Sequence, residues 1–285
     1  MTGTAPIAPP FALYESADPP GPVMIAVPHA GRAYSPALIR RARVAPADLC
    51  RLEDRFADLI IRPMLGSGRT ILLANAPRAE IDLNRSEREI DATMVEGLSP
   101  RGLDNNARVR GGLGLVPRRL PGLGELWCGR LSHEELRRRI DAVHRPYHAA
   151  LAGALDRLHQ RFGAAVLIDL HSMPPLGPGQ PQVVIGDRQG SASDPTIVAA
   201  VEAAVRAHGI EPCRNVPYSG GHVLARHSDP SRGRHGVQLE IDRSLYLCDR
   251  LAEPGAGLLR IASLLRAIVE AVERALAAPL LAAAE

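Results

Sequence analysis

Ala165-Val-Leu-Ile-Asp-Leu170 runs directly into His171 and Ser172. An apolar head of this kind, short and uninterrupted, reads as a strand buried on both faces, as in parallel sheets. The same reading applies upstream to Val23-Met-Ile-Ala-Val27, which ends at Pro28 and His29, and to Thr70–Ala74. Downstream, Val183–Gly186 reads as another strand, and Val237-Gln-Leu-Glu-Ile241 alternates in the manner of a strand.

Helical stretches fall between these runs. Ala47–Leu65 carries Leu49, Leu52, Phe56, Leu59 and Ile60 at helical spacing. Ser132 with Glu135 forms a capping box and opens a helix with Leu136, Ile140, Val143 and Tyr147 on one face, which Pro146 is expected to kink. Asp194-Pro195 is a helix start, Ile197, Val198, Val201 and Val205 are its stripe, and Gly209 its end. Gly257–Leu276 closes the chain with Leu264, Leu265, Ile268, Val269, Val272 and Leu276 inward. Strands alternating with helices imply an α/β fold: a mostly parallel mixed sheet covered on both faces. A single domain over residues 1–285 is expected, with 1–21 as a loose N-terminal arm. Residues 97–130, rich in Gly, Pro and Arg, have no sustained periodicity and read as a long loop that could serve as a lid.

Composition narrows the class. At 46% hydrophobic and 23% charged residues the chain has material for a large core, which excludes disorder as its main state. The net charge is +3 and every basic Lys/Arg position is arginine, too balanced a surface to argue for nucleic acid or membrane. Aromatic residues are 3% of the chain, too few for a base-stacking platform. Cys50, Cys128, Cys213 and Cys248 are far apart, which argues against a cysteine zinc cluster or a disulfide framework. No signal peptide and no apolar run of about 18 residues is found, so a cytoplasmic protein is expected.

Polar residues cluster at the strand ends, where open α/β sheets gather ligands. They are His29, the run Asp82-Leu-Asn-Arg85, and Asp169-Leu-His-Ser172, with Glu240 inside a further strand. Two histidines and a carboxylate are the protein ligands of a catalytic zinc, whose fourth position is left to water. The carboxylate candidates are Glu53 and Asp54. A second carboxylate would move protons, and Glu240 suits that role between Leu239 and Ile241. Asn84 and Arg85 could grip a substrate carboxylate. Plainer readings stand beside these: His29 as a turn residue, Glu240 as a strand residue on a solvated face, Arg85–Glu89 as a charged turn. His133 and His148 read as helix-surface or core residues, and His159 and His208 as helix-end residues. His222, His227 and His235 lie in a Gly- and Arg-rich stretch and could line a site.

Taken in order, Val27-Pro-His-Ala-Gly31, Ile81-Asp-Leu-Asn-Arg85, Gly112-Leu-Gly-Leu-Val116, Arg145-Pro-Tyr-His148, Asp169-Leu-His-Ser172, Tyr218-Ser-Gly-Gly221 and Gln238-Leu-Glu-Ile-Asp-Arg243 resemble the N-formylglutamate amidohydrolase family. The resemblance runs from about Val23 to Tyr246. It implies a three-layer fold like that of zinc carboxypeptidases and aspartoacylases, also called phosphorylase/hydrolase-like. It also implies one Zn2+ per chain, an N-acyl amino acid as the small-molecule substrate and a place in histidine degradation. His29 and His171 resemble the histidine ligands and Asp54 the acidic ligand, with Glu53 adjacent. Asn84 and Arg85 resemble the carboxylate clamp, Glu240 resembles the base, and Arg226 is expected to face the substrate. The carboxypeptidase-type His-x-x-Glu is absent, since Arg32 sits three residues after His29.

The function expected is hydrolysis of an N-acyl acidic amino acid, such as N-formyl-L-glutamate, to formate and the free amino acid. The alternatives are a related metal amide or peptide hydrolase of other specificity and a non-catalytic family member. A non-catalytic descendant is expected to have lost His29, His171 or Glu240, and all three are present.

Overall fold

A computed structural model of the chain describes residues 9–282. Seven strands form a mixed sheet: β1 (Phe11–Tyr14), β2 (Val23–Val27), β3 (Thr70–Ala74), β4 (Ala165–Met173), β5 (Val183–Gly186), β6 (Pro212–Arg214) and β7 (Arg234–Asp242). Their order is β1-β3-β2-β4-β7-β5-β6. β2 and β4, β4 and β7, and β5 and β6 pair in parallel, and β5 runs antiparallel to β7. Helices surround the sheet, which makes the α/β class expected from the strand–helix alternation the observed one.

The chain divides into two compact units. One comprises Pro28–Glu53 and Leu73–Ala150 with the described residues up to Ala12; the other comprises Leu13–Val27, Asp54–Leu72 and the chain from Leu151 onward.

In the second unit β4 and β7 pair over all nine residues, from Ala165 beside Arg234 to Met173 beside Asp242. A strand expected to stop at Leu170 therefore continues through His171, because an equally long partner keeps its backbone hydrogen bonds satisfied. Leu170 on β4 and Leu239 and Ile241 on β7 pack with Ile261, Leu264, Leu265 and Ile268 of the long helix Leu258–Ala282. Each such side chain contributes about 1.5–3 kcal/mol on full burial, so this layer fixes the sheet against its helix.

The expected Ala47–Leu65 helix is broken. It exists as short pieces, Pro46–Leu49, Cys50–Leu52, Ala57–Ile61 and Arg62–Met64, with Glu53–Phe56 between them. Tertiary bonds replace the helical ladder at the break. The Tyr246 hydroxyl donates to the Arg55 carbonyl at 2.8 Å, Arg55 Nε donates to the Ala252 carbonyl at 3.1 Å, and Phe56 takes a left-handed φ of 59°.

In the first unit Ser132 Oγ accepts from the Glu135 N–H at 3.1 Å and opens the helix His133–Arg139. Leu136, Ile140, Val143 and Tyr147 are all buried. The expected proline kink is a π-turn at Ile140–His144, just ahead of Pro146, whose missing N–H cannot close an ordinary turn. Residues 112–116 of the Gly-rich stretch lie against 82–91: Leu115 N–H donates to Glu89 and Asp82 N–H to Leu115, at 2.6 and 2.7 Å. A Cβ on Gly114 would stand 2.6 Å from the Glu89 carbonyl, so only glycine fits there. Of the N-terminal arm, residues 1–8 lie outside the described chain, and 9–21 are not loose throughout, since Phe11–Tyr14 forms β1. No helix among the described residues is long and apolar enough to cross a membrane.

Glu135 is held by hydrogen bonds from Arg138 and Arg139, which lower its pKa to about 2 against an ordinary 4.5. A lowered carboxyl pKa adds stability that is complete above pH 4.5 and disappears as pH falls toward 2. Glu135→Gln is expected to cost less than about 1 kcal/mol at pH 7, because solvent screens the half-buried pairs. Denaturant titrations should show that cost shrinking by pH 3.5.

Candidate active site

Each unit carries a buried polar group of its own. In the first unit, His29 leaves the end of β2 and is buried. Its Nε2 bonds Asp82 Oδ1 at 2.7 Å, so the ring nitrogen it offers on its other side is Nδ1. Asp82 is fully buried and also accepts from Arg78 Nε and the Asn84 N–H, both at 2.8 Å. Burial alone would raise its pKa, yet Arg78, Arg85 and His29 outweigh that and hold its carboxyl well below the usual range. An aspartate behind a histidine in this way fixes the tautomer and the ring plane.

Arg85 is buried beside it. Nε donates to the Leu113 carbonyl and Nη1 to the Asn84 carbonyl, both at 2.8 Å, while Nη2 stands 3.9 Å from Asp82. Nε–H and one N–H of Nη1 are thus spent on the fold, leaving N–H groups of Nη1 and Nη2 for another acceptor. Asn84 is buried next to it. His144, which the sequence reading passes over, is fully buried, and its Nε2 bonds the Arg85 carbonyl at 2.8 Å. Its only sequence signal is its place one turn before His148, in a helix read as surface or core. Glu53 belongs to this unit too and accepts from the Tyr34 hydroxyl at 2.6 Å.

In the second unit the group is built on β4 and β7. Residues two apart on a strand share a face, and neighbours in a parallel ladder point to the same side. Asp169 and His171 on β4 are in register with Gln238 and Glu240 on β7. The row is therefore polar on one face, while Leu170, Leu239 and Ile241 turn to the apolar layer. His171 Nε2 bonds Asp169 at 3.0 Å and Nδ1 bonds Asp54 at 3.0 Å. Asp54 Oδ1 also accepts from Ser172 Oγ at 3.2 Å and from Arg243 Nη2 at 3.4 Å. Burial disfavours a charged imidazole, but Asp169 and Asp54 overcome it and hold the His171 pKa well above its ordinary value.

Glu240 is 7% exposed, so it is not a strand residue on a solvated face. Gln238 sets its carboxylate: the Gln238 oxygen must face the Gly221 N–H, from which it accepts at 2.9 Å. That leaves its amide N–H to donate to Glu240 Oε1 at 2.8 Å. Gly186 allows the Ser219–Gly220 backbone to pass close by, since a Cβ there would meet it at 2.7 Å. Arg226 is exposed on the short helix His222–His227. His227 and His235 are buried, and His208 bonds the Ala204 carbonyl at the end of the helix Pro195–Ala207.

The geometry of the first unit carries a prediction. Asp82→Ala leaves two guanidiniums and an imidazole without their buried counter-ion, which is expected to cost about 3–5 kcal/mol at pH 7. Chemical denaturation of the purified variant measures it; a cost under about 1 kcal/mol would mean that Asp82 is not the electrostatic centre of this unit.

Residues 21–247 match the profile of the N-formylglutamate amidohydrolase family. The chain is 31% identical over 241 residues to an N-formylglutamate deformylase of Pseudomonas putida, covering 79% of this chain and 82% of that one. The corresponding protein of Pseudomonas aeruginosa is 31% identical over 242 residues with the same coverage. The crystal structure of an N-formylglutamate amidohydrolase from Ralstonia eutropha JMP134 aligns with a TM-score of 0.84 and 32% identity, over 94% of this chain and 97% of that one. A gene product from Agrobacterium tumefaciens shares the fold at a TM-score of 0.65 and 19% identity, over 93% of this chain and 95% of that one. The chain is thus a hydrolase acting on an amide bond and belongs to the N-formylglutamate amidohydrolase family.

Proposed function

We propose that this protein is a cytoplasmic zinc amidohydrolase. It takes N-formyl-L-glutamate, or a close N-acyl acidic amino acid, to formate and the free amino acid in histidine degradation. The observation that carries the reading is the second unit's buried row, where the β4–β7 register sets Glu240 beside His171 and Asp54 bonds His171 Nδ1.

His29, Asp54 and His171 are the residues assigned to the metal, each buried and each offering one ligand atom. Two imidazole nitrogens and a carboxylate suit zinc with one position left open. Donors about 2.0–2.2 Å from a tetrahedral ion stand roughly 3.3 Å apart, and His171 Nδ1 and Asp54 Oδ2 are separated by 3.0 Å. Both histidines turn Nε2 to an aspartate, Asp82 or Asp169, so Nδ1 is the ligand atom of each. Zinc bound there supplies Lewis acidity, polarising a carbonyl and making water nucleophilic at neutral pH.

The protein's own groups do the rest. Asn84 and the uncommitted edge of Arg85 hold the substrate carboxylate and set the scissile amide in place. Glu240 takes a proton from the attacking water and returns it to the amide nitrogen as the C–N bond breaks, so the water oxygen leaves in formic acid and the nitrogen leaves as a neutral amine; the acid's remaining proton then passes to the amine, giving formate and the free amino acid. Gln238 keeps the Glu240 carboxylate aimed through that exchange. Arg226 is assigned to the substrate-facing surface.

Metal content of the purified protein, measured with formate release from N-formyl-L-glutamate before and after chelation, tests the reading. About one zinc per chain, with activity lost to chelator and restored by zinc, is expected; absence of metal after reconstitution would overturn the ligand assignment. Glu240→Gln should keep its zinc while formate release falls by about 10²–10⁴-fold. Arg85→Ala should weaken substrates with a free α-carboxylate far more than their α-amides, and equal losses would remove Arg85 from the clamp.

A further inference from the structure

We infer that Arg108 is a specificity-determining residue that binds the side-chain carboxylate of a dianionic substrate, an assignment that rests on the amidohydrolase reading above. The substrate proposed there carries two carboxylates, and Arg85 with Asn84 accounts for one of them. The first unit holds a second cation linked to the same clamp. Leu113 joins the two: its N–H donates to the Arg108 carbonyl and its own carbonyl accepts from Arg85 Nε, both at 2.8 Å. One backbone bond and one side-chain bond therefore link the short helix Ala107–Arg110 to the clamp. Asn106 secures its other side, capping the Val109 N–H at 3.0 Å while donating to Glu89 at 2.8 Å.

The side chain of Arg108 is exposed and has no hydrogen bond or ion pair among the described residues. Other arginines of this unit are engaged: Arg78 with Asp82, Arg88 with Asp104, Arg118 with Asp91 and Glu125, Arg110 with the Asn105 carbonyl, and Arg119 with the Arg110 and Gly111 carbonyls. Around Arg85 two carboxylates, Asp82 and Glu89, face three guanidiniums, those of Arg78, Arg85 and Arg108. Glu89 already accepts from the Ser86 N–H and from Asn106. Arg108 is thus the arginine here whose guanidinium keeps a fork for an anion. The bridge through Leu113 is what sets Arg108 beside the clamp; in keeping with it, the Arg85 pKa is lowered chiefly by burial, with Arg78 and Arg108 also lowering it against Asp82 and Glu89.

The two roles separate by substrate. Arg85 holds the carboxylate that every N-acyl amino acid has, whereas Arg108 meets only those with an acidic side chain. N-formyl-L-glutamine keeps the shape of N-formyl-L-glutamate and removes one charge, so it isolates the second contact.

The experiment compares formate release from both substrates by the zinc-loaded full-length enzyme and by Arg108→Ala and Arg108→Lys. Arg108→Ala is expected to lower kcat/KM for N-formyl-L-glutamate by about 10–100-fold, chiefly through KM, and to change that for N-formyl-L-glutamine by less than about threefold. Arg108→Lys should recover part of the loss, because it keeps the charge without the planar fork. Thermal denaturation should match wild type, since the side chain holds nothing in the fold. Equal losses on both substrates, or no loss on either, would overturn the Arg108 assignment and leave the amidohydrolase reading intact. No formate from either substrate with zinc-loaded wild type would overturn that reading and this assignment together.

Discussion

The nine-residue parallel pairing of β4 with β7 is the constraint from which the rest of the candidate site follows. Its register puts Asp169 beside Gln238 and His171 beside Glu240, and the two-residue period sends all four to one face. A slip of one residue would turn them toward the layer formed by Leu264, Leu265 and Ile268. That layer therefore supports the chemistry: burying Leu170, Leu239 and Ile241 fixes the register, and the register fixes which ionisable groups meet.

Placing such groups in a buried sheet is costly unless each has a partner. Each here does. Asp169 and Asp54 flank His171, the Gln238 amide donates to Glu240, and Ser172 and Arg243 reach Asp54. In the other unit Asp82 serves His29, Arg78 and Arg85 at once. Both histidines present the same face to an aspartate, so each ring has its tautomer and orientation fixed before any ligand arrives. Arg85 follows the same logic. Backbone carbonyls of Asn84 and Leu113 hold the guanidinium at Nη1 and Nε, so a ligand carboxylate meets a preorganised Nη1/Nη2 fork.

Much of this was legible in the sequence because it is local. The apolar runs at Val23, Thr70, Ala165, Val183 and Val237 are strands, Ser132 caps its helix, and Asp194-Pro195 starts another. His29, Arg85, His171 and Glu240 stood out because polar residues interrupt or end apolar strands, and the structure places all four in buried polar surroundings. The helix expected over Ala47–Leu65 was misread because its apolar spacing is real. Its break at Glu53–Phe56 is imposed by Tyr246 and by the Ala252 carbonyl, both nearly two hundred residues away. β1 and β6 are short strands whose residues carry little pattern of their own.

Sequence alone determined the long strands and helices and most of the reactive groups, because hydrophobic period, capping residues and proline act within a few neighbours. It could not separate Glu53 from Asp54: adjacent carboxylates are equivalent to any local rule. Tertiary structure separates them, giving Glu53 the Tyr34 hydroxyl and Asp54 the His171 ring. It also decided that His171 lies within a strand, that Gln238 orients Glu240, and that Asp82 and Asp169 stand behind the histidines. Those outcomes depend on strand register and on long-range hydrogen bonds, which exist only once distant segments have been brought together.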